Sequence, residues 1–559
     1  MATQSREPTV EEEQERGLLG QIEVHSIDWI PDTERHGKTW QQAMLWFLGN
    51  FQYFTIPIGF VGPALGLSLG WSILAGALGI WFGTLFMAFH ATQGPVFGLP
   101  QMIQTRAQMG YRGVVVALFA VLFTYMAFNV ADQVLMSTGL HGAFGWNANL
   151  VAAGTAVLAA LLAIFGYDWV HRVFRFLLVI SFPCYAIISV AILIGHAGGH
   201  APHHSGFLFA AFMAQFSVAA AYNITYAPYV SDYSRYMPRK TPARGIITAV
   251  FFGASTSAIW LIALGAWLAT RLGINDGLVG LQVVGDKVVA PLGSITAVLS
   301  ATALLATMGM NAYGGMLTVL TGIDCFKTIK TSRMLRVVTV IALAIIWYVI
   351  GASLSSSTSA VSAVLNSLTL MLYLLVPWTA LNLVDFFFVR RGHYAITDIF
   401  RPDGVYGAWA WRGLTAYFIG FAAEIPFMVL PPIAGLSYTG YFPAHLTNGV
   451  DYSWLVGLAV SGLVYLLLSR SLDLGAEQSA IDASERELQA IDVVAGASAI
   501  LEEGHPDGQA PEPALSRGRG ADQQLARGGR TADRSAPRLP WPGDCSETID
   551  SRSGPPVTH

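Results

Sequence analysis

The chain has 559 residues, of which 53% are hydrophobic and only 12% charged, with a net charge of -4 and a mean hydropathy of +0.51. A water-soluble domain carries about a quarter charged residues, so too little polar surface remains to cover a soluble globule of this size. The charge balance is too small to imply an acidic or basic partner, and nothing in it suggests nucleic acid binding.

The first twenty residues, MATQSREPTVEEEQERGLLG, are polar and acidic with no apolar core, so a cleavable signal peptide is not expected. Apolar blocks then fall near 39–64, 69–92, 113–138, 149–167, 173–195, 207–230, 245–270, 291–320, 337–352, 358–389, 413–434 and 453–469. Each approaches the roughly 20 residues that cross a bilayer as a helix. About twelve membrane-spanning helices are expected, in an all-α polytopic protein. Loops after even-numbered blocks hold sixteen Lys and Arg residues, against Arg271 and Lys287 alone after odd-numbered ones. The positive-inside rule then puts both termini in the cytoplasm, at a plasma (inner) membrane.

Block one reads WFLGNFQYFTIPIGFVGPALG, with Pro57 between glycines, and block six reads FMAQFSVAAAYNITYAPYV, with Pro228 near its end. A proline removes a backbone donor and clashes with the preceding turn. Either these prolines merely kink their helices, or both helices break. Paired breaks in two blocks of opposite direction point to a binding site at the membrane midplane between inverted repeats.

Two carboxylates lie inside apolar blocks, Asp132 in block three and Glu424 in block eleven. A charge at mid-membrane costs ~2.5–3.5 kcal/mol on insertion scales, so such residues are candidates for function. Asp132 suits a coupling or gating role or a structural polar contact. For Glu424 the structural reading leads. The loop HAGGHAPHHSG carries His196, His200, His203 and His204, a cluster able to bind a transition metal or sense pH, although no acidic or thiol ligand accompanies it. The three cysteines have neither disulfide nor metal-ligand spacing, and no metal is expected. Beyond Ser471 the chain turns rich in Gly, Pro, Ala, Asp and Arg, and 471–559 is read as a disordered cytoplasmic tail with room for a short helix in AIDASERELQAID. The layout is therefore an N-terminal cytoplasmic segment over 1–38, a transmembrane domain over 39–470, and that tail.

At block six the string YNITYAPYVSDYSRYMPRK resembles the signature of the purine–cytosine permease family, the first nucleobase–cation symporter family. The likeness extends through GPVFGLPQMIQTRAQMGYRG, FNVADQV, NAYGGML, GFAAEIPF and WLVGLAV, and so over roughly 20–470. It implies a leucine-transporter-like core of five plus five helices with two peripheral ones, and cation-coupled import of a flat heterocycle such as cytosine, a purine, uracil, allantoin or hydantoin. On the family pattern, Tyr125 and Asn129 would be the stacking aromatic and the amide of block three, one turn apart on one face. Gln52, six residues after Trp46, would contact substrate, as would Asn311 of block eight. The second aromatic of the site counts to Asn223, with Tyr222 beside it, and either is open. Backbone carbonyls of Leu48 and Phe51 would sit near the cation site, with Asp132 and Thr307 as further coupling candidates. The sodium-coupled pattern has Ser and Thr where this chain has Leu305 and Ala306, which disfavours sodium and raises the proton. The box from Asp232 to Tyr236 would close block six, its Asp232 and Arg235 forming either an inner gate or an anchor at the headgroup boundary. No cofactor is implied beyond that coupling ion, and the partners expected are the small substrate and membrane lipids.

A membrane-embedded enzyme is the first rival class; it would need a constellation such as HExxH or GxSxG, and neither string is expected. A channel would need repeated selectivity segments, and no such repeat is visible.

Overall fold

The computed structural model describes residues 29–165, 167–199, 206–327, 332–355, 360–433 and 436–503. It is built from helices, with a single two-stranded hairpin among the described residues. Six helices there are long and apolar enough to cross a membrane, or seven if a bent pair at 453–493 is taken as one. Of the other expected segments, one and six are broken, and four, eleven and twelve are helices of 14 to 18 residues.

Segment one starts as helix Thr39–Asn50, opens at 51–54 and resumes as short turns Thr55–Ile58 and Val61–Ala64. Segment six runs Phe209–Ile224 and restarts as Ala227–Ser234. In both, the proline sits in the first turn of the second piece, where its missing N–H would have had no helical partner. The breaks therefore lie just before Pro57 and Pro228, not at them. Segments two (Leu69–Ala91) and seven (Ala243–Trp267) pack on these two, and segment two also contacts segment seven. Small residues permit the approach: a Cβ on Gly83 would lie 2.2 Å from the Ala220 carbonyl oxygen.

Segment three (Val115–Phe144) forms the opposing layer with eight (Leu292–Asp324), nine (Arg333–Ser355) and ten (Ala360–Val384). Four (Ala148–Phe165) and five (Tyr167–Leu193) lie against segment eight. An additional helix, Gly277–Val288, packs on segment eight, capped by Asp276 accepting from the Leu278 and Val279 amides.

Three boundaries differ from the expectation. Segment eleven is α-helical only over Trp411–Glu424 and ends in a 3-10 turn, Ile425–Phe427, that holds Pro426; Pro431 and Pro432 then lie in the first strand of the hairpin Val429–Ile433 with Leu436–Thr439, where no helix can form across them. The tail is not disordered from 471, because Leu474–Glu503 is a helix turned 91° from segment twelve (Ser453–Ser469). Ile481 and Leu488, two turns apart, bury into a cluster with Trp29, Phe97, Tyr394 and Ile399. Trp29 and Ile30 are themselves buried, so the folded unit takes in part of the segment ascribed to 1–38. Residues 1–28 and 504–559, and His200, His203 and His204, lie outside the described residues.

Candidate functional site

The break in segment one puts Gln52 on a stretch of non-helical backbone between two helix pieces. Its amide nitrogen donates to the Tyr226 hydroxyl at 2.7 Å and to the Tyr222 hydroxyl at 3.2 Å, and its oxygen accepts from Thr307 at 3.1 Å. Segments one, six and eight therefore meet on one side chain. The Thr55 and Tyr222 hydroxyls share a hydrogen bond of 2.8 Å, and Thr55 also donates to the Asn50 carbonyl, which segment one's break leaves without its helical partner.

Rings wall this amide. Phe54 stacks on Tyr222 at 5.8 Å and 18°, and Phe128 of segment three faces Tyr226 at 6.3 Å and 25°. Beside Phe128, Asn129 accepts from Asn311 at 3.1 Å and donates to the Met308 carbonyl at 3.2 Å, which ties segment three to segment eight. One turn further, Asp132 is 1% exposed, with carboxylate oxygen Oδ1 unpartnered among the described residues.

The structure brings together Gln52, Tyr222, Asn129, Asn311, Thr307 and Asp132. Asn223 is turned elsewhere: its oxygen accepts from Asn50 at 2.8 Å and its nitrogen donates to Thr84 at 2.6 Å, so it fastens segments one, two and six behind the site. Thr307, expected toward the cation, has its hydroxyl on Gln52 and the Ala303 carbonyl. Tyr125 lies against Tyr229 at 5.0 Å and over Gly314, whose absent side chain makes room for the ring. Leu48 keeps its carbonyl on the Phe51 amide, and the Phe51 ring packs among Phe182, Tyr185 and Trp260. Sequence reasoning missed Tyr226, Phe128, Phe54 and Thr55. Tyr226 carries a retrievable signal, since it lies one turn after Tyr222 and therefore on the same face.

At the other end of segment six, Asp232 accepts from the Gln101 amide at 2.9 Å, and Arg235, 3% exposed, donates to the Asp232 carbonyl at 3.2 Å. From Gln101 a buried chain of amides passes through Gln93, Asn382 and Gln108 to Asp385. Asp385 pairs with Arg390 at 2.7 Å, and Arg390 grips Glu477 of the tail helix through two bonds of 2.9 and 2.8 Å. On segment eleven, Glu424 is fully buried against Gly457, with both oxygens unpartnered among the described residues. The residues Gly66–Gly70, GLSLG, do spell GxSxG, contrary to expectation. Ser68 nevertheless caps segment two after a helical turn, without the strand–turn–helix elbow that string needs.

Two broken helices crossing beside buried amides and rings define a membrane carrier with a central site. Residues 29–457 match the family model described as permease for cytosine/purines, uracil, thiamine, allantoin. The chain belongs to that family of nucleobase–cation symporters, transporters and not enzymes. A putative purine-cytosine permease of Bacillus subtilis, YxlA, is 33% identical over 451 residues, covering 80% of this chain and 96% of its own. The purine-cytosine permease FCY21 of Saccharomyces cerevisiae is 25% identical over 256 residues, 44% of this chain and 48% of its own. Among solved structures, inward-facing Mhp1 superposes with a TM-score of 0.60 at 17% identity, over 82% of this chain and 97% of its own. A closed form of Mhp1, described as a nucleobase-cation-symport-1 family transporter with bromovinylhydantoin bound, gives 0.60 at 16% identity, over 82% and 99%. These likenesses establish the leucine-transporter-like fold.

Proposed function

We propose that the protein imports a nucleobase-like ring across the plasma membrane, coupled to protons, with its termini in the cytoplasm. The observation that carries this reading is the Gln52 amide held at the helix break by the Tyr222, Tyr226 and Thr307 hydroxyls. Hydroxyls can rotate and an amide offers both a donor and an acceptor, so the edge of a heterocycle can replace these bonds one for one. Asn129 and Asn311 supply a second amide pair for the opposite edge. A flat ring enters between Phe128 and Tyr226 when their 6.3 Å spacing widens to about 7 Å, twice a carbon–carbon contact of ~3.5 Å. Stacking of a base on an aromatic contributes ~1–3 kcal/mol.

For coupling, Asp132 is a buried carboxyl one turn from Asn129, and a single carboxyl suffices to carry a proton. Sodium wants several converging oxygens, whereas Leu305 and Ala306 offer no side-chain oxygen and Thr307 is engaged with Gln52. Asp232 and Arg235 act as the inner gate, since they fasten segment six to the amide chain that reaches segment ten. The test is a thermal-shift screen of nucleobases on purified protein, because a ligand bound to the folded state raises its stability. A ring that stabilises the protein, and no longer does so in Gln52→Ala, is the expected result. Stabilisation undiminished in Gln52→Ala would contradict the reading.

A further inference from the structure

A cavity of about 530 Å³ opens where segments ten and twelve end on the face that carries the basic loops. One wall is the tail helix, through Leu474, Glu477 and Gln478; the others include Phe388, Arg391, Leu466 and Arg470. Its charge is one-sided. The acidic lining residue, Glu477, is already held by both arms of Arg390, whereas Arg391 and Arg470 are exposed and have no carboxylate partner among the described residues. Exposed apolar side chains lie beside these arginines. Phe388 is 66% exposed and Leu466 39%, and exposed Leu463 continues the apolar surface along segment twelve. Two guanidinium groups beside an apolar strip, at the point where membrane helices leave the hydrocarbon layer, match a molecule with an anionic head and an acyl chain.

We propose that this cavity binds the headgroup of an anionic phospholipid, with Arg391 and Arg470 on the phosphate and an acyl chain along Phe388 and Leu466. A free phosphate ion would answer the arginines but leave the apolar strip unused. Because the tail helix forms one wall, the bound lipid also steadies that helix against segments ten and twelve. The inference is independent of the substrate and the coupling ion.

The experiment is native mass spectrometry of the full chain released from nanodiscs of mixed phosphatidylcholine and phosphatidylglycerol. Wild type is expected to retain phosphatidylglycerol preferentially. The pair Arg391→Gln and Arg470→Gln should weaken that retention about thirtyfold, and Arg470→Gln alone, at an exposed position, about fivefold. The pair Arg391→Lys and Arg470→Lys should keep most of it, which separates loss of charge from loss of fold. Excess inorganic phosphate should leave the lipid in place. Equal retention of the two lipids, unchanged retention in Arg470→Gln, or displacement by inorganic phosphate would each overturn the proposal, the last by reducing the cavity to a simple anion site.

Discussion

Gln52 donates to the hydroxyl of Tyr226 at 2.7 Å, a contact that joins the break of segment one to the break of segment six. Removing the amide leaves that hydroxyl, and those of Tyr222 and Thr307, to find other partners. Gln52→Ala should therefore weaken substrate binding by about 1–3 kcal/mol, the cost of leaving buried polar groups unpaired. Tyr226→Phe should do the same to a smaller degree, and equilibrium binding of the ring identified by thermal shift measures both. Asn129→Ala and Asn311→Ala test the second amide pair in the same assay.

Tyr125 allows a sharper distinction. Family resemblance alone suggests that Tyr125→Trp is tolerated, since an indole would restore a larger stacking surface. The ring, however, lies 2.5 Å from where a Cβ on Gly314 would stand and is closed in by Tyr229. Tyr125→Trp and Gly314→Ala should each destabilise the protein by about 1–3 kcal/mol through overpacking. Thermal unfolding of the two variants checks this, and unchanged melting would show that the pocket has slack.

How much of this was legible in the chain depends on the kind of contact. The helix breaks were readable because proline chemistry is local, and Gln52, Asn129 and Asn311 because motif spacing carries them. Whether residue 222 or 223 faces the site is a question of helix rotation, which the apolar surroundings of both leave undetermined. Phe128 has no distinguishing signal within an apolar block, and only its placement against Tyr226 singles it out. The tail helix is legible only as a short helix in AIDASERELQAID, and its length and docking are not, because the docking rests on two well-spaced apolar residues, Ile481 and Leu488, and one glutamate in an otherwise polar stretch. In segment eleven the hydropathy of the block masks Pro431 and Pro432, which turn the chain from helix to hairpin.

The tail gives a prediction that reverses the compositional reading. Deleting from about Ala480 costs nothing if the segment is disordered, but in this fold it removes Ile481, Leu488 and the Ser484 hydroxyl that accepts from the Thr397 amide. Truncation after Glu503 should leave uptake intact, whereas truncation before Leu474 should lower both stability and membrane yield. Glu477→Ala, which strips one partner from a buried pair, should cost on the order of 3 kcal/mol in a denaturation experiment. Equal stability of the two truncations would mean that the helix contributes nothing to the fold.

Orientation is open to direct measurement. Cysteines introduced at Asn147 and Thr439, both exposed and in connections after odd-numbered segments, should label from outside intact cells with a membrane-impermeant maleimide. Cysteines at Arg401 and Arg244 should label only after permeabilisation. The reverse pattern would invert the topology derived from the basic loops.

The account rests most heavily on proton coupling at Asp132 beside a nucleobase site. The most direct measurement is uptake of a radiolabelled nucleobase into proteoliposomes under an imposed pH gradient or an imposed sodium gradient, at fixed membrane potential. Accumulation should follow the pH gradient, vanish with a protonophore and ignore replacement of sodium by choline, while Asp132→Asn should exchange substrate without accumulating it. Accumulation that follows sodium, collapses in choline and survives the protonophore would contradict the account, and would mean that backbone carbonyls such as those of Leu48 and Phe51 assemble the cation site.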